Sequence, residues 1–271
     1  MQWRKIKLTF SYQGTAYYGL QRQKNGPSIQ EEIEKVLARI LGHEAVLVAS
    51  GRTDSGVHAR MQVAHFCTSH SIPADRLPLA INTFLPDDIV ILEALDVPQS
   101  FHARYHVIEK TYRYRVLNQR VADPFLRDWA CHVRSPLDLE KMRMAASYLT
   151  GTHDFTSFSS IRTRTGDRVR TVYEIRIEET LRDTALPAQG RDIWLAYRGS
   201  GFLYNMVRMM TGALLEVGKG RMQVDNVKRM LDAKDALIKK VNAPAHGLYL
   251  WDIQYAEPDD IRIKEKEKRR L

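Results

Sequence analysis

Apolar and polar positions alternate at the start of the chain. Ile6, Leu8 and Phe10 stand between Lys5, Lys7 and Thr9, the period of a half-buried strand. The period then lengthens. Ser28 and Glu31 form a capping box, and Ile29, Ile33, Val36, Leu37 and Ile40 recur on one face until Gly42, which predicts a helix closed by glycine. Short apolar runs at 46–49 and 61–67 read as strands, followed by a helical stretch near 77–84 and a strand over 89–95. The order so far is strand, helix, strand, strand, helix, strand. From Val107 it begins again, with a strand to Leu117, a helix over 139–149 closed by Gly151, strands over 169–177 and 193–197, a helix over about 202–217 and a last strand over 248–255. A strand over 129–133 and a helix over 224–233 are additions to the second half.

This twofold β-α-β-β-α-β order predicts an α+β fold: two ferredoxin-like subdomains forming a continuous, mainly antiparallel sheet with helices on one face. The expected boundaries are 1–105, 106–256 and a basic tail over 257–271, whose Lys264, Lys266, Lys268, Arg269 and Arg270 read as a frayed, solvated end. The repetition lies in the order of elements and not in residue identity. A sheet face left uncovered by helices is a broad surface suited to a large ligand, as in RNA-recognition modules of this topology.

Composition narrows the class of ligand. The 271 residues, 44% of them hydrophobic, suffice for a large core, and 41 Lys and Arg against 32 Asp and Glu give a net charge of +9. That excess points to a polyanion, nucleic acid first, with an ordinary basic protein as the alternative. Only Cys67 and Cys131 are present, far apart and outside any Cys-x-x-Cys spacing, so a disulfide framework and a zinc ribbon are both unsupported. Both are expected as reduced thiols in packed strands. The chain enters a strand pattern without an apolar leader, and no apolar run approaches the roughly 20 residues that span a bilayer. A cytoplasmic protein without membrane association is expected.

Candidate chemistry centres on the loop between the runs at 46–49 and 61–67, where Gly51 and Gly56 bracket Asp54 and basic residues stand on both sides. Arg52 beside Asp54 favours the ionised carboxylate, the form of a nucleophile or base and not of a general acid. The bland alternative is an Asp that caps its own turn. Gly-Lys-Ser/Thr is missing, so the loop is no phosphate-binding P-loop. Tyr17, Tyr18, Gln21, Arg22 and Gln23 mix aromatics, amides and a cation in a way that suits bases, against the alternative of a tyrosine packed on the core. Alternation over 110–115 sends Tyr112 and Tyr114 to one face and Arg113 and Arg115 to the other, and basic neighbours favour an exposed, stacking Tyr112. The helix after Gly201 is apolar nearly all round, so Arg208 within it needs an anionic partner; Asp54 is the expected one, Glu216 the alternative. His102 and His106, four apart with His153-Asp154 further on, raise a metal site. They lie where a strand begins, and period-2 geometry does not gather such residues on one ion, so no metal is expected.

Five motifs fall in order along the chain: Gly51-Arg52-Thr53-Asp54-Ser55-Gly56-Val57-His58-Ala59, Phe101-His102-Ala103-Arg104, Lys110-Thr111-Tyr112-Arg113-Tyr114, Gly201-Phe202-Leu203-Tyr204-Asn205-Met206-Val207-Arg208 and Ala243-Pro244-Ala245-His246-Gly247-Leu248. Together they resemble the TruA family of tRNA pseudouridine synthases, from residue 6 to about residue 255. The resemblance implies an isomerase that converts uridine to pseudouridine at positions 38, 39 and 40 in the anticodon stem-loop of tRNA, as a homodimer and without a cofactor or metal. It implies Asp54 as the catalytic aspartate, Tyr112 as the residue stacked on the target base and Arg208 as the partner of the aspartate. Arg52, His58 and Arg104 are the matching RNA-contact positions. Residue 55, usually Ala in the motif, is Ser here. The stretches 159–167 and 182–192 match no motif, and a non-catalytic RNA-binding module or a metal-dependent nuclease are the rival classes.

Overall fold

In the computed structural model, which describes residues 3–161, 163, 166–182 and 190–256, the first alternation is the strand β1 (Arg4–Tyr12). Ile6, Leu8 and Phe10 are wholly buried along it while Lys5 and Lys7 are only partly covered. Among the described residues the strands pair mostly antiparallel, and the chain divides into two compact units, Met1–Lys110 with Leu250–Leu271, and Thr111–Tyr249. The basic tail and parts of the stretches 159–167 and 182–192 lie outside the described residues. No helix among the described residues is long and apolar enough to cross a membrane.

In the first unit β1 pairs antiparallel with β3 (His58–Thr68) and β4 (Ile89–Val97), so that Leu8 lies opposite Ala64 and Ala94. The order is β4-β1-β3-β10, where β10 (Leu248–Tyr255) returns from the end of the fold. The apolar run at 46–49 yields only the two-residue β2 (Val48–Ala49) on β3, and Val46 is exposed. Helix α1 (Ile29–Leu41) starts where the Ser28 side chain accepts the Glu31 amide and stops at Gly42, left-handed at φ 70°. Its buried face holds Ile29, Ile33, Val36, Leu37 and Leu41, whereas Ile40 is partly exposed. Helix α2 (Leu77–Asn82) is shorter than the sequence suggests. The Asn82 amide grips both the N–H and the C=O of Ile91 on the edge strand β4, at 2.8 and 2.9 Å, satisfying backbone groups that the sheet leaves open.

In the second unit the order is β5-β9-β8-β7. From Thr111 on, β5 (Val107–Asn118) buries Tyr114 and Val116, and β6 (Cys131–Val133) runs parallel to it, three residues where five were expected. Helix α3 (Leu139–Ser147) is capped by Asp138, whose carboxylate accepts the Lys141 amide at 3.1 Å. The strand β7 (Gly151–Asp154), absent from the sequence reading, pairs with β8 (Val169–Arg182), which pairs in turn with β9 (Gly190–Gly199). Helix α4 begins later than the pattern suggests, at Met206–Gly218, because Asn205 sits at φ 62° and turns the chain before it. Its burial on nearly every side is as expected, with Met206, Met210, Leu214 and Val217 fully enclosed. Helix α5 (Val224–Ala233) completes the set. Cys131 is a buried thiol, but Cys67 is exposed, its side chain facing away from the core on β3.

Two positions test this packing. A side chain at Gly212 of α4 would overlap the backbone carbonyl of Val241, so Gly212→Ala is expected to cost about 1–3 kcal/mol, read as a lower urea midpoint. His65 on β3 is 6% exposed, and its Nδ1 accepts the Ala103 amide at 3.2 Å. Burial first, then the charges of Lys5, His102 and His106, push its pKa down to about 4 from 6.5. The native state therefore excludes a proton that the unfolded chain binds, so His65 stabilises fully above pH 6.5 and its contribution fades toward pH 4. Up to about 3 kcal/mol should vanish across that window, and His65→Gln should flatten the pH dependence of the urea midpoint.

Candidate active site

The connection from β2 to β3 carries Asp54, and the backbone on both sides of it is tied down. Ser50 donates its amide to Val63 O at 2.8 Å and its hydroxyl to Gln62 at 2.6 Å, while the Gln62 amide reaches Gly51 O at 3.4 Å. Tyr12 and Thr53 share a buried hydroxyl bond of 2.7 Å. The Thr53 carbonyl accepts the Leu20 amide at 3.3 Å and lies 2.6 Å from where Gly19 would carry a Cβ; Gly19, at φ 102°, is left-handed there. Tyr17 O accepts the Gly56 amide and the Ser55 hydroxyl, at 3.3 and 3.2 Å, and Asp54 O accepts the Val57 amide at 3.1 Å. Serine at position 55 thus adds a bond that alanine cannot make. Asp54 is partly exposed and Arg52 exposed. The Tyr12 hydroxyl is pushed up to about 12, chiefly by burial, with the Asp54 charge acting in the same direction and the bonds to Thr53 and Gln62 against it. A neutral phenol therefore lies within the field of the aspartate.

His58 follows the loop and is 1% exposed, with Nδ1 accepting the Gly14 amide at 3.0 Å. It supports the loop exit from inside and offers no exposed surface for RNA. Tyr17 is likewise a core residue, its hydroxyl on Asp88 at 2.6 Å, whereas Tyr18 is exposed beside Gly26, and Arg22 pairs with Glu34 at 2.6 Å. Arg104 is exposed in the segment ahead of β5, which is a turn and not the start of a strand. His106 closes that turn, accepting the His102 amide on Nδ1 at 3.2 Å while its own amide donates to His102 O at 3.2 Å. The i, i+4 spacing thus serves backbone capping. Burial, with the charges of His106 and Lys5, lowers the pKa of His102 as well. Among the described residues no three His, Cys, Asp or Glu side chains gather as metal ligands would. Lys110, the first residue of the third motif, donates to Ser50 O at 3.0 Å and so connects the end of this unit to the loop.

In the second unit Tyr112 is buried, 9% exposed, and not the open stacking platform expected from its basic neighbours. The reason is Phe202, whose ring meets it edge-on at 5.3 Å and 85°. Arg208 is partly buried on α4, with Nε donating to Ala243 O at 2.8 Å and a terminal nitrogen to Asn205 Oδ1 at 3.1 Å. Glu216, the alternative partner, is engaged by Lys219 at 2.9 Å and Arg221 at 3.9 Å. Ala243 in turn donates its amide to Arg208 O at 3.0 Å, and Pro244 O accepts the Tyr114 hydroxyl at 2.8 Å. The motif at 243–248 thus positions the arginine, a role that spacing alone does not reveal.

A family model described as tRNA pseudouridine synthase matches residues 8–106 and 145–256. Asp54, Arg104 and Arg208 fall within the matched segments and Tyr112 between them. The tRNA pseudouridine synthase A of an Exiguobacterium strain is 47% identical over 256 residues, 94% of this chain and 100% of the relative. Those of Bacillus pumilus and Bacillus subtilis are 47% and 46% identical, each covering 93% of this chain and 99% of the relative. With the matched segments reaching into both units and near-half identity along almost the whole length, this chain belongs to the tRNA pseudouridine synthase family.

Proposed function

We propose that this chain isomerises uridine to pseudouridine in tRNA, at positions 38, 39 and 40 of the anticodon stem-loop, with Asp54 as the nucleophile. Its relatives named tRNA pseudouridine synthase A, alike along their full length, carry the reading. The net charge of +9 supports a polyanionic substrate. The reaction breaks the N1–C1′ glycosidic bond, turns the uracil, joins C5 to C1′, and exchanges the C5 proton for one on N1. No electrons are gained or lost, and no cofactor is invoked.

Asp54 on a tied loop suits a step in which a carboxylate captures sugar or base covalently and divides one hard displacement into two. The target nucleotide leaves its stack at a cost of a few kcal/mol, which aromatic stacking and basic contacts offset. In this reading Tyr112 meets the flipped base and takes its C5 proton, Arg208 pairs with Asp54, and Arg52 and Arg104 hold phosphates, while His58 acts from behind the loop. The protein works as a homodimer in the cytoplasm, where its substrate is.

Tritium release from unmodified tRNA bearing 5-tritiated uridine measures the reaction. Asp54→Asn should lose at least about a thousandfold in rate with tRNA affinity retained, and chelator should leave the wild type unaffected. Binding without release by either protein would leave an RNA-binding module in place of the enzyme. Tyr112→Phe keeps the ring and removes the hydroxyl, so C5 proton release should slow; release at the wild-type rate removes Tyr112 from the role of base.

A further inference from the structure

The glycine that opens the Asp54 loop has a neighbour that accounts for it. A side chain at Gly51 would overlap Nζ of Lys110, which occupies that space and donates to the carbonyl of Ser50, the preceding residue, at 3.0 Å. Among the described residues no atom beyond Lys110 and the chain neighbours lies within reach of a Cβ there, and Gly51 is not left-handed, so its own backbone does not require glycine. The vacancy at position 51 exists for the ammonium group. Gln62 holds the next carbonyl, Gly51 O, from β3, so the two peptide units that lead into the loop are each held by a side chain from elsewhere.

We propose that Lys110 is a positioning residue for the Asp54 loop, its ammonium group seated on Ser50 O in the space left by Gly51 and fixing the angle at which the loop departs from β2. The inference rests on the function proposed above for Asp54, but concerns a contact that the free protein already makes. Burial, and then the charge of Arg104 from the turn ahead of β5, bring the Lys110 pKa down to about 8. From the loop itself the neighbouring charged residues are Arg52 and Asp54, two and four residues beyond Ser50. The contact is therefore intact at neutral pH and weakens as the ammonium group loses its proton above about pH 8.

Two substitutions reach the contact from opposite sides. Lys110→Met removes the donor and keeps the stem; Gly51→Ala keeps the lysine and displaces its flexible end. Each should lower the single-turnover rate of tritium release by about ten- to a hundredfold, the scale of a catalytic group moved by around 1 Å. tRNA affinity should change less than about threefold, because one lysine is a small part of the phosphate contacts. The double variant should be no slower than the slower single, since both act on one contact. The decline of the wild-type rate above about pH 8 should be missing in Lys110→Met. Amide hydrogen exchange over residues 51–56, measured without tRNA, should quicken in both single variants and reads the positioning role independently of any activity. Unchanged exchange in Lys110→Met, or rate losses that multiply in the double variant, would overturn the proposal, whereas a failure of wild-type tritium release bears on the proposed function alone.

Discussion

A carbonyl resting on a left-handed glycine holds this loop in place. Thr53 O lies where Gly19 would carry a side chain and accepts the Leu20 amide, so the residue before the aspartate is fixed to a second segment of the chain. Any other residue at 19 meets both a steric clash and an unfavourable backbone conformation. Around that contact the other bonds follow: Tyr12 to Thr53, Ser55 and Gly56 to Tyr17, and His58 to Gly14. A carboxylate on a freely moving loop would sample many directions, and ordering it would oppose every encounter with substrate. Here the ordering is done by folding.

Much of this was legible from the residues. The two-residue period of β1, the capping box of α1 and the buried character of α4 are local properties, and each is present in the structure, although α4 starts at Met206 and not at about 202. The loop could be recognised because its glycines, acid and arginine are contiguous. What escaped depends on residues far apart in sequence. Tyr112 is covered by Phe202, ninety positions on, and no pattern around Tyr112 registers that. β7 has four residues with no apolar alternation, and its partner β8 makes it a strand. Lys110 looked like one more motif cation because its meaning lies in Gly51, whose empty side contains it.

The histidines show a related economy. His58, His65, His102 and His106 each use Nδ1 to accept a backbone amide. Backbone groups in turns need partners, and at His65 and His102 burial, with Lys5 close by, disfavours the protonated ring. In a protein with a large cationic excess, capping turns with uncharged acceptors limits repulsion where arginines and lysines are already close.

The first unit is not a continuous stretch of chain. Its sheet places β3 between β1 and β10, and β10 is made only after the whole of the second unit has been synthesised. Until then the part of that β3 edge not already paired with β2 is open, with unpaired amides and carbonyls of the kind that recruit strands from other molecules. The loop bearing Asp54 adjoins that strand. On the ribosome, the unit that is started before the other is therefore closed after it, and the aspartate reaches its final surroundings only once β10 has emerged.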